Sequence, residues 1–298
     1  MRYVIIQAGG KGSRLEKYTY NKPKALLSVD SLPMIFHTFE LFSDARFVII
    51  GDYKYEVLQK YLQSFSSVDY VLIKAGGTGT CAGIGDALRF IPNGEEFLLI
   101  WCDLVLSKTS SLRSIEGTGN YVGISKDFEC RWSYIDGEFI EEKSKEHGVA
   151  GFFIFDGKEQ IADVPQSGEF VKYLKYKNIV FKEFPLYGTK EFGLTSEYEK
   201  YIFSKRQSRP FNEVVIDDDR VVKIPLDTKG RELAEYETGW YKFVAQRGYD
   251  NIPRVYSFEP LTLERIDGFH PFELKDANTQ SKKRVIDIVL DSYEKLHG

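Results

Sequence analysis

Four short, continuously apolar runs recur through the first hundred residues, and a helical pattern follows most of them. The runs are Tyr3-Val4-Ile5-Ile6, Phe47-Val48-Ile49-Ile50, Tyr70-Val71-Leu72-Ile73 and Phe97-Leu98-Leu99-Ile100-Trp101. Between them, Ile35, Phe36, Phe39 and Leu41 follow Pro33, and Val57, Leu58, Tyr61, Leu62 and Phe65 recur at helical spacing. A further helix is expected over 83–91. Strands that are apolar on both faces need helices on both sides. The expected fold is therefore α/β: a doubly wound, mostly parallel, Rossmann-like sheet. Ligands of such sheets sit at the carboxyl ends of the strands. Two glycine-rich loops and Asp103 fall at such ends.

The pattern is less regular over 120–200. Strands are expected at Glu138–Lys143 and Val149–Phe155, and a helix at Thr195–Phe203. The polar stretch Ser204-Lys205-Arg206-Gln207-Ser208-Arg209-Pro210 has no apolar period and is expected to mark a boundary between domains 1–205 and 206–298. A pair of domains also suits 298 residues at about 150 residues each. Beyond the boundary, Glu213–Ile216 and Arg220–Ile224 flank Asp217-Asp218-Asp219 as a hairpin. A helix over roughly 231–247 completes a smaller α+β lobe.

Composition narrows the function classes. The balance of 40 basic and 44 acidic residues, a net charge of −4, argues against a general binder of nucleic acid. Cys81, Cys102 and Cys130 are odd in number and form no CxxC pair, which disfavours a disulfide scaffold or zinc knuckle and suits a reducing compartment. No apolar run approaches the roughly 18 residues of a membrane helix, and Tyr3–Ile6 is too short for a signal-peptide core. A soluble cytoplasmic protein without membrane insertion is expected.

The first glycine loop runs Gln7-Ala8-Gly9-Gly10-Lys11-Gly12-Ser13-Arg14. Lys11, Arg14, Lys17, Lys22 and Lys24 cluster here against the single acid Glu16. Glycines let backbone N–H groups approach phosphate oxygens, and a following helix N-terminus would add partial positive charge. The spacing is neither Walker A nor the dinucleotide motif, which needs a third glycine. On charge alone, a triphosphate cradle and a solvated basic loop stand level. In the second loop, Gly77, Gly79 and Ala82 satisfy G-x-G-x-x-A, so an NAD-dependent oxidoreductase is weighed as well. Asp103 ends an apolar strand, as a turn former or as a hard oxygen ligand suited to Mg²⁺.

Gln7–Leu15, Lys22-Pro23-Lys24-Ala25-Leu26 and Pro33-Met34-Ile35 together resemble the sugar-1-phosphate nucleotidyltransferase superfamily, a resemblance that covers about residues 1–203. It implies that Gln7, Ala8, Gly9, Gly10, Gly12 and Ser13 cradle a nucleoside triphosphate, and that Arg14 and Lys24 act on it during transfer. It places Gly77 and Thr78 under the base and makes Asp103 a catalytic Mg²⁺ ligand, although Cys102 stands where the family usually has glycine. Phe139–Lys143 and Val149–Phe155 resemble the acceptor segments, which gives Glu142, Lys143 and Gly151 acceptor-binding roles. In Phe184-Pro185-Leu186-Tyr187-Gly188-Thr189, Leu186 stands where the family often carries a second metal carboxylate, with Glu183 nearby.

The implied partners are an NTP, with CTP or UTP favoured, and a phosphorylated small-molecule acceptor. That acceptor would be a sugar 1-phosphate or a phospho-alcohol, and the product an activated precursor for cell-surface glycan (capsule) synthesis. A CTP:phosphocholine-type cytidylyltransferase and a non-catalytic nucleotide-binding regulator are the alternatives beside the oxidoreductase.

The segments Val221–Ile224, Glu232–Trp240, Ile252–Val255 and Leu261–Gly268 resemble the small lobe of aminoglycoside/choline-kinase-like phosphotransferases. That resemblance pairs Lys223 with Glu237 or Glu235. No His-x-Asp catalytic loop occurs in 206–298. Kinase activity is not expected from this chain alone, and a fragment of a longer bifunctional protein is expected.

Overall fold

The structure is a computed structural model that describes residues 2–107, 119–177, 179–206, 211–268, 270–273 and 277–297. The chain forms two compact units, Met1–Tyr198 and Glu199–Gly298.

The first unit begins β1 (Tyr3–Gln7), α1 (Met34–Leu41), β2 (Arg46–Gly51), α2 (Tyr55–Phe65), β3 (Tyr70–Lys74), α3 (Ile84–Ala87) and β4 (Phe97–Trp101). It continues β5 (Asn120–Ser125), β6 (Ser133–Ile135), β7 (Glu138–Ile140), β8 (Gly148–Phe155), α4 (Phe170–Lys175), β9 (Phe181–Leu186) and α5 (Thr195–Arg206). One nine-stranded sheet runs β7-β6-β8-β4-β1-β2-β3, with β5 joining β8 to β9. β4, β1, β2 and β3 are mutually parallel, and β9 is parallel to β5. β8 is antiparallel to both β4 and β5. The fold is mixed α/β with a mostly parallel central sheet.

The absence of alternation in the apolar runs has a direct cause. Ile5, Val48, Phe97, Leu99, Phe153 and Phe155 point into one layer, closed by α3 and α4 through Ile84, Ala87, Phe170 and Leu174. Val4, Ile6, Phe47, Ile49, Leu98 and Ile100 point into the other, closed by α1 and α2 through Ile35, Phe39, Leu58 and Leu62. Every residue of Val4–Ile6 and Phe97–Ile100 is fully buried.

Several expected elements differ. The segment after the first glycine loop is a 3-10 turn, Ser13–Thr19, broken at Glu16 with φ 45° and ψ −122°, so it presents no regular helix N-terminus. The strand expected to reach Lys143 stops at Ile140 and leaves Glu142 and Lys143 in the connection to β8. The helix expected over 83–91 is a single α turn, Ile84–Ala87, continued by a 3-10 turn, Leu88–Phe90. α5 runs on to Arg206, because Lys and Arg are good helix formers and nothing there breaks the helix. The two compact units divide at Tyr198/Glu199, inside α5.

The second unit holds β10 (Asn212–Ile216), β11 (Arg220–Pro225), α6 (Thr228–Gln246), β12 (Val255–Phe258), β13 (Leu261–Glu264) and α7 (Thr279–His297). Its antiparallel sheet runs β10-β11-β13-β12. The hairpin turn closes where the Asp217 N–H donates to the Arg220 carbonyl at 2.9 Å. α6 starts three residues earlier than its apolar pattern because Asp227 caps it, accepting from the Gly230 N–H at 2.7 Å. Tyr241, Leu261 and Leu263 form a small core there. Among the described residues no helix is long and apolar enough to cross a membrane.

Leu99 is fully buried at the centre of the sheet. Leu99→Ala is expected to lower the stability of the first unit by about 2–5 kcal/mol, read as a fall in the urea midpoint at unchanged slope.

Candidate active site

Gly12 takes the left-handed conformation, with φ 63° and ψ 37°. A Cβ built on it would lie 3.1 Å from Thr19 Cγ2 and 3.3 Å from Lys24 Cβ. The first loop thereby folds back onto the Lys22-Pro23-Lys24 segment. Pro23 is extended and sets the entry to a 3-10 turn, Lys24–Leu26. From that turn Lys24 Nζ reaches Asp103 Oδ2 at 2.5 Å. The two side chains are only 16% and 8% exposed. Burial pushes the Lys24 ammonium down, but the Asp103 carboxylate beside it outweighs this, and the pKa is raised. Lys24 therefore keeps its positive charge at neutral pH. Asp103 Oδ1 is buried and has no hydrogen-bond partner among the described residues.

Asp103 has an unexpected neighbour. Lys190–Glu191 pairs antiparallel with Leu104–Val105, so that Glu191 lies opposite Leu104. The Phe192 N–H donates to the Asp103 carbonyl at 3.1 Å. Burial, and then repulsion by Asp103, push the Glu191 carboxyl up to about 7, although Lys24 and Arg14 work against that rise. A Cβ on Gly193 would collide with the Glu191 carboxylate and lie 3.5 Å from Arg14 Nη2. Glu191 stands two residues before Gly193, the spacing sought at Leu186-Tyr187-Gly188. Leu186 is instead fully buried in the core, and Glu183 is exposed on β9. The carboxylate-x-glycine spacing thus occurs a few residues further along the chain. Its position against Asp103 depends on pairing with Leu104, which no local pattern announces.

Two cavities meet at this cluster. The first, about 440 Å³, is lined by Gln7, Gly9, Gly10 and Lys11 from the first loop, by Gly77, Thr78, Gly79 and Thr80 from the second, and by Arg14, Lys24, Trp101, Asp103 and Glu191. Ala8 is fully buried beneath the loop. Gly12 shapes the loop without lining the cavity, and Ser13 is exposed outside it. The second cavity, about 370 Å³, is lined by Phe128, Glu129, Arg131, Trp132, Lys143 and Glu169 among others. Arg14, Trp101 and Glu191 line both.

Lys143 is therefore at the second cavity, in an exposed ion pair with Glu129 at 3.1 Å. Glu142 is exposed and does not line it. Gly151, with φ 73°, lies under Trp101, and any Cβ there would enter the indole ring. Its role in the structure is to seat that wall.

The glycines of the second loop are explained by a close backbone approach. A Cβ on Gly77 would overlap the Gln166 carbonyl, and one on Gly79, which has φ 80°, the Gly168 carbonyl. The helix after this loop has only four residues. The spacing that resembled a dinucleotide motif thus serves packing against 166–168. In the second unit, Lys223 donates a hydrogen bond to Glu237, each about one-third exposed. Glu235 is not the partner that Lys223 reaches. Among the described residues, no group of three or more His, Cys, Asp and Glu side chains is arranged to hold a metal ion.

A cavity between two glycine loops, lined by the largely buried Lys24, the exposed Lys11 and Arg14 and the neighbouring carboxylates Asp103 and Glu191, thus adjoins a second cavity, an arrangement with room and charge for a phosphorylated ligand. Residues 4–117 match the family profile of the MobA-like NTP transferase domain. A UTP–glucose-1-phosphate uridylyltransferase, AglF, from Haloferax volcanii is 34% identical over 69 residues. That match spans 22% of this chain and 28% of AglF. HddC from Yersinia pseudotuberculosis shares the fold at TM-score 0.56 and 22% identity, over 69% of this chain and all of that one. The inositol-1-phosphate CTP transferase from T. maritima does so at 0.53 and 16%, over 70% of this chain and 97% of that one. A UDP-glucose pyrophosphorylase solved with UDP-glucose does so at 0.54 and 15%, over 70% of this chain and all of that one.

The raised Glu191 pKa fixes a sign. A carboxyl whose folded pKa lies above its unfolded value stabilises the fold below the unfolded pKa and loses that contribution as pH rises through the folded value. Relative to Glu191→Gln, the ligand-free wild type is expected to lose thermal stability progressively between about pH 5 and about pH 8. Parallel melting curves for the two proteins across that range would refute the assignment.

Proposed function

We propose that the first unit transfers a nucleotidyl group from an NTP to a phosphorylated small-molecule acceptor and releases pyrophosphate. The observation that carries this reading is the sharing of Arg14, Trp101 and Glu191 between two adjoining cavities, one of them holding the Lys24–Asp103 pair. A phosphate oxygen of the acceptor forms a bond to the α-phosphorus while the bond from that phosphorus to the β-phosphate bridge breaks, and the electron pair leaves with pyrophosphate. The acceptor's second phosphate pKa of about 6 makes it largely a dianion at neutral pH. No general base is needed, and catalysis reduces to positioning two polyanions and neutralising their charge.

The residues take their roles from position. Lys24 and Arg14 face the triphosphate from the first cavity, and Lys143 faces the acceptor phosphate from the second. The donor set suits a Mg²⁺ ion. Asp103 Oδ1 is a buried oxygen without a partner among the described residues, Glu191 is beside it, and Mg²⁺ is commonly held by one or two carboxylates together with substrate phosphates. Bound there, the ion would supply further neutralisation of the phosphate charge. Loss of the Glu191 proton would accompany its binding.

CTP and UTP are the favoured nucleotides. A sugar 1-phosphate, for an activated glycan precursor, is the leading acceptor by resemblance. A phospho-alcohol such as phosphocholine is the second reading, favoured by Phe128, Trp132 and Trp101 together with Glu129 and Glu169 around the second cavity, since aromatic faces attract quaternary ammonium groups. Three free, buried cysteines suit the cytoplasm. For the second unit we keep the reading of a phosphotransferase small lobe, supported by the Lys223–Glu237 pair.

Pyrophosphate release with a panel of NTPs against sugar 1-phosphates and phosphocholine tests the function directly. In the productive combination, Lys24→Ala is expected to lower kcat by about 10²–10³-fold, as for removal of a preorganised donor. Wild-type turnover in that variant would remove Lys24 from the mechanism, and no release with any pair would end the reading.

A further inference from the structure

Gln7 ends β1, is only 8% exposed, and spends its whole side-chain amide inside the molecule. Its Nε2 donates to the Thr80 carbonyl at 3.0 Å and to the Ala82 carbonyl at 2.9 Å. Its Oε1 accepts from the Gly9 N–H at 3.4 Å. Its backbone carbonyl accepts from the Cys102 N–H at 3.2 Å, immediately before Asp103. One residue thus touches the first glycine loop, the second glycine loop and the turn that carries the candidate metal ligand. From the structure, and resting on the nucleotidyltransferase reading, we infer that Gln7 is a positioning residue that sets the separation of the two glycine loops and so the fit of the nucleotide between them.

The chemistry of the position is narrow. Two carbonyls face the side chain from the second loop and one N–H faces it from the first. Only a group with two donors and an acceptor at this length meets all three. A carboxylate would turn two lone pairs toward the carbonyls. An apolar side chain would leave buried polar groups without partners. Gln7 does not itself grip the ligand, because its donors are already occupied.

The opposite flank of the second loop is held independently. The Thr78 N–H donates to Ser167 Oγ at 3.1 Å and the Phe170 N–H to Thr80 Oγ1 at 2.8 Å. The Gly168 N–H donates to the Thr78 carbonyl at 2.9 Å and the Cys81 N–H to the Gly168 carbonyl at 3.0 Å. Removing Gln7 therefore leaves the loop anchored on one side and released on the side that faces the nucleotide. The consequence falls on NTP binding and not on the acceptor cavity, which Gln7 does not line.

The test uses Gln7→Met and, because that change buries unpaired carbonyls, Gln7→Asn as a polar variant too short to span the gap. Steady-state kinetics are measured with the NTP and acceptor pair found productive for the wild type. In the nucleotide-free full chain, amide hydrogen exchange is followed over 75–83. The KM for the NTP is expected to rise about ten-fold, the size of one net hydrogen bond. The expected kcat stays within about three-fold and the acceptor KM is unchanged. Exchange over 75–83 is expected to quicken in both variants and to slow again at saturating NTP. Unchanged exchange, or equal rises in both KM values, in whichever variant folds would overturn the positioning role. Wild-type protein without turnover would instead sink the functional reading, while the exchange comparison would still judge the strut.

Discussion

Two opposite charges, 79 residues apart in sequence, are buried together at the carboxyl end of the central strand. Lys24 and Asp103 could not both be desolvated alone, and each makes the burial of the other tolerable. Their meeting requires β4 to end beside β1 and the Pro23 turn to press against the same strand end. The first glycine loop must also close tightly enough for Gly12 to lie within van der Waals reach of Lys24. The pair leaves one Asp103 oxygen without a partner among the described residues, and a second carboxylate, Glu191, is added beside it. A group of this kind is poorly compensated in isolation and suited to a multivalent cation or a polyanion's counter-charges. These electrostatics are what the proposed binding of a triphosphate with its metal ion rests on.

Glycine does two separate jobs around that centre. At Gly12 it supplies a left-handed turn, so that the chain can reverse over Lys24. At Gly77, Gly79 and Gly151 it removes a Cβ that would collide with a carbonyl of 166–168 or with the Trp101 ring. The second kind is a packing requirement, and it explains why a G-x-G-x-x-A spacing can occur without a long helix to receive a pyrophosphate. The same close approach brings 166–170, with Glu169 facing the second cavity, against the loop that lines the first. The walls of the two cavities belong to one hydrogen-bonded body.

Much of this was legible from the chain itself. Strands such as Val4–Ile6 and Phe97–Ile100 carry no polar alternation, which forces a sheet covered on both faces. Lys22-Pro23-Lys24 and the first glycine loop placed cations at a strand end. The rest was hidden for physical reasons. Glu191 becomes a neighbour of Asp103 only through a two-residue ladder with Leu104, too short to leave a period in sequence. Leu186 satisfied the spacing of a motif but sits in a strand whose inward position demands an apolar residue. Glu142 is adjacent to Lys143 in sequence, yet the strand ends at Ile140, and in the connection that follows only Lys143 lines the cavity. Lys205 and Arg206 read as linker by polarity, yet they extend a helix because polarity alone does not stop one.

Trp101 shows how these constraints converge on the junction of the two cavities. Strand alternation sends Phe97, Leu99 and Trp101 to the same face, and the first two are consumed by the core. Trp101 emerges past the end of that core, where β8 offers Gly151 and leaves room for an indole. Two residues further on, Asp103 carries the charge. Under the proposed transfer an acceptor phosphate and an α-phosphate would meet where the two cavities adjoin, and Trp101, Arg14 and Glu191 line both. In that transfer the same three side chains would position both substrates, so that binding geometry and reactive geometry would share one set of contacts.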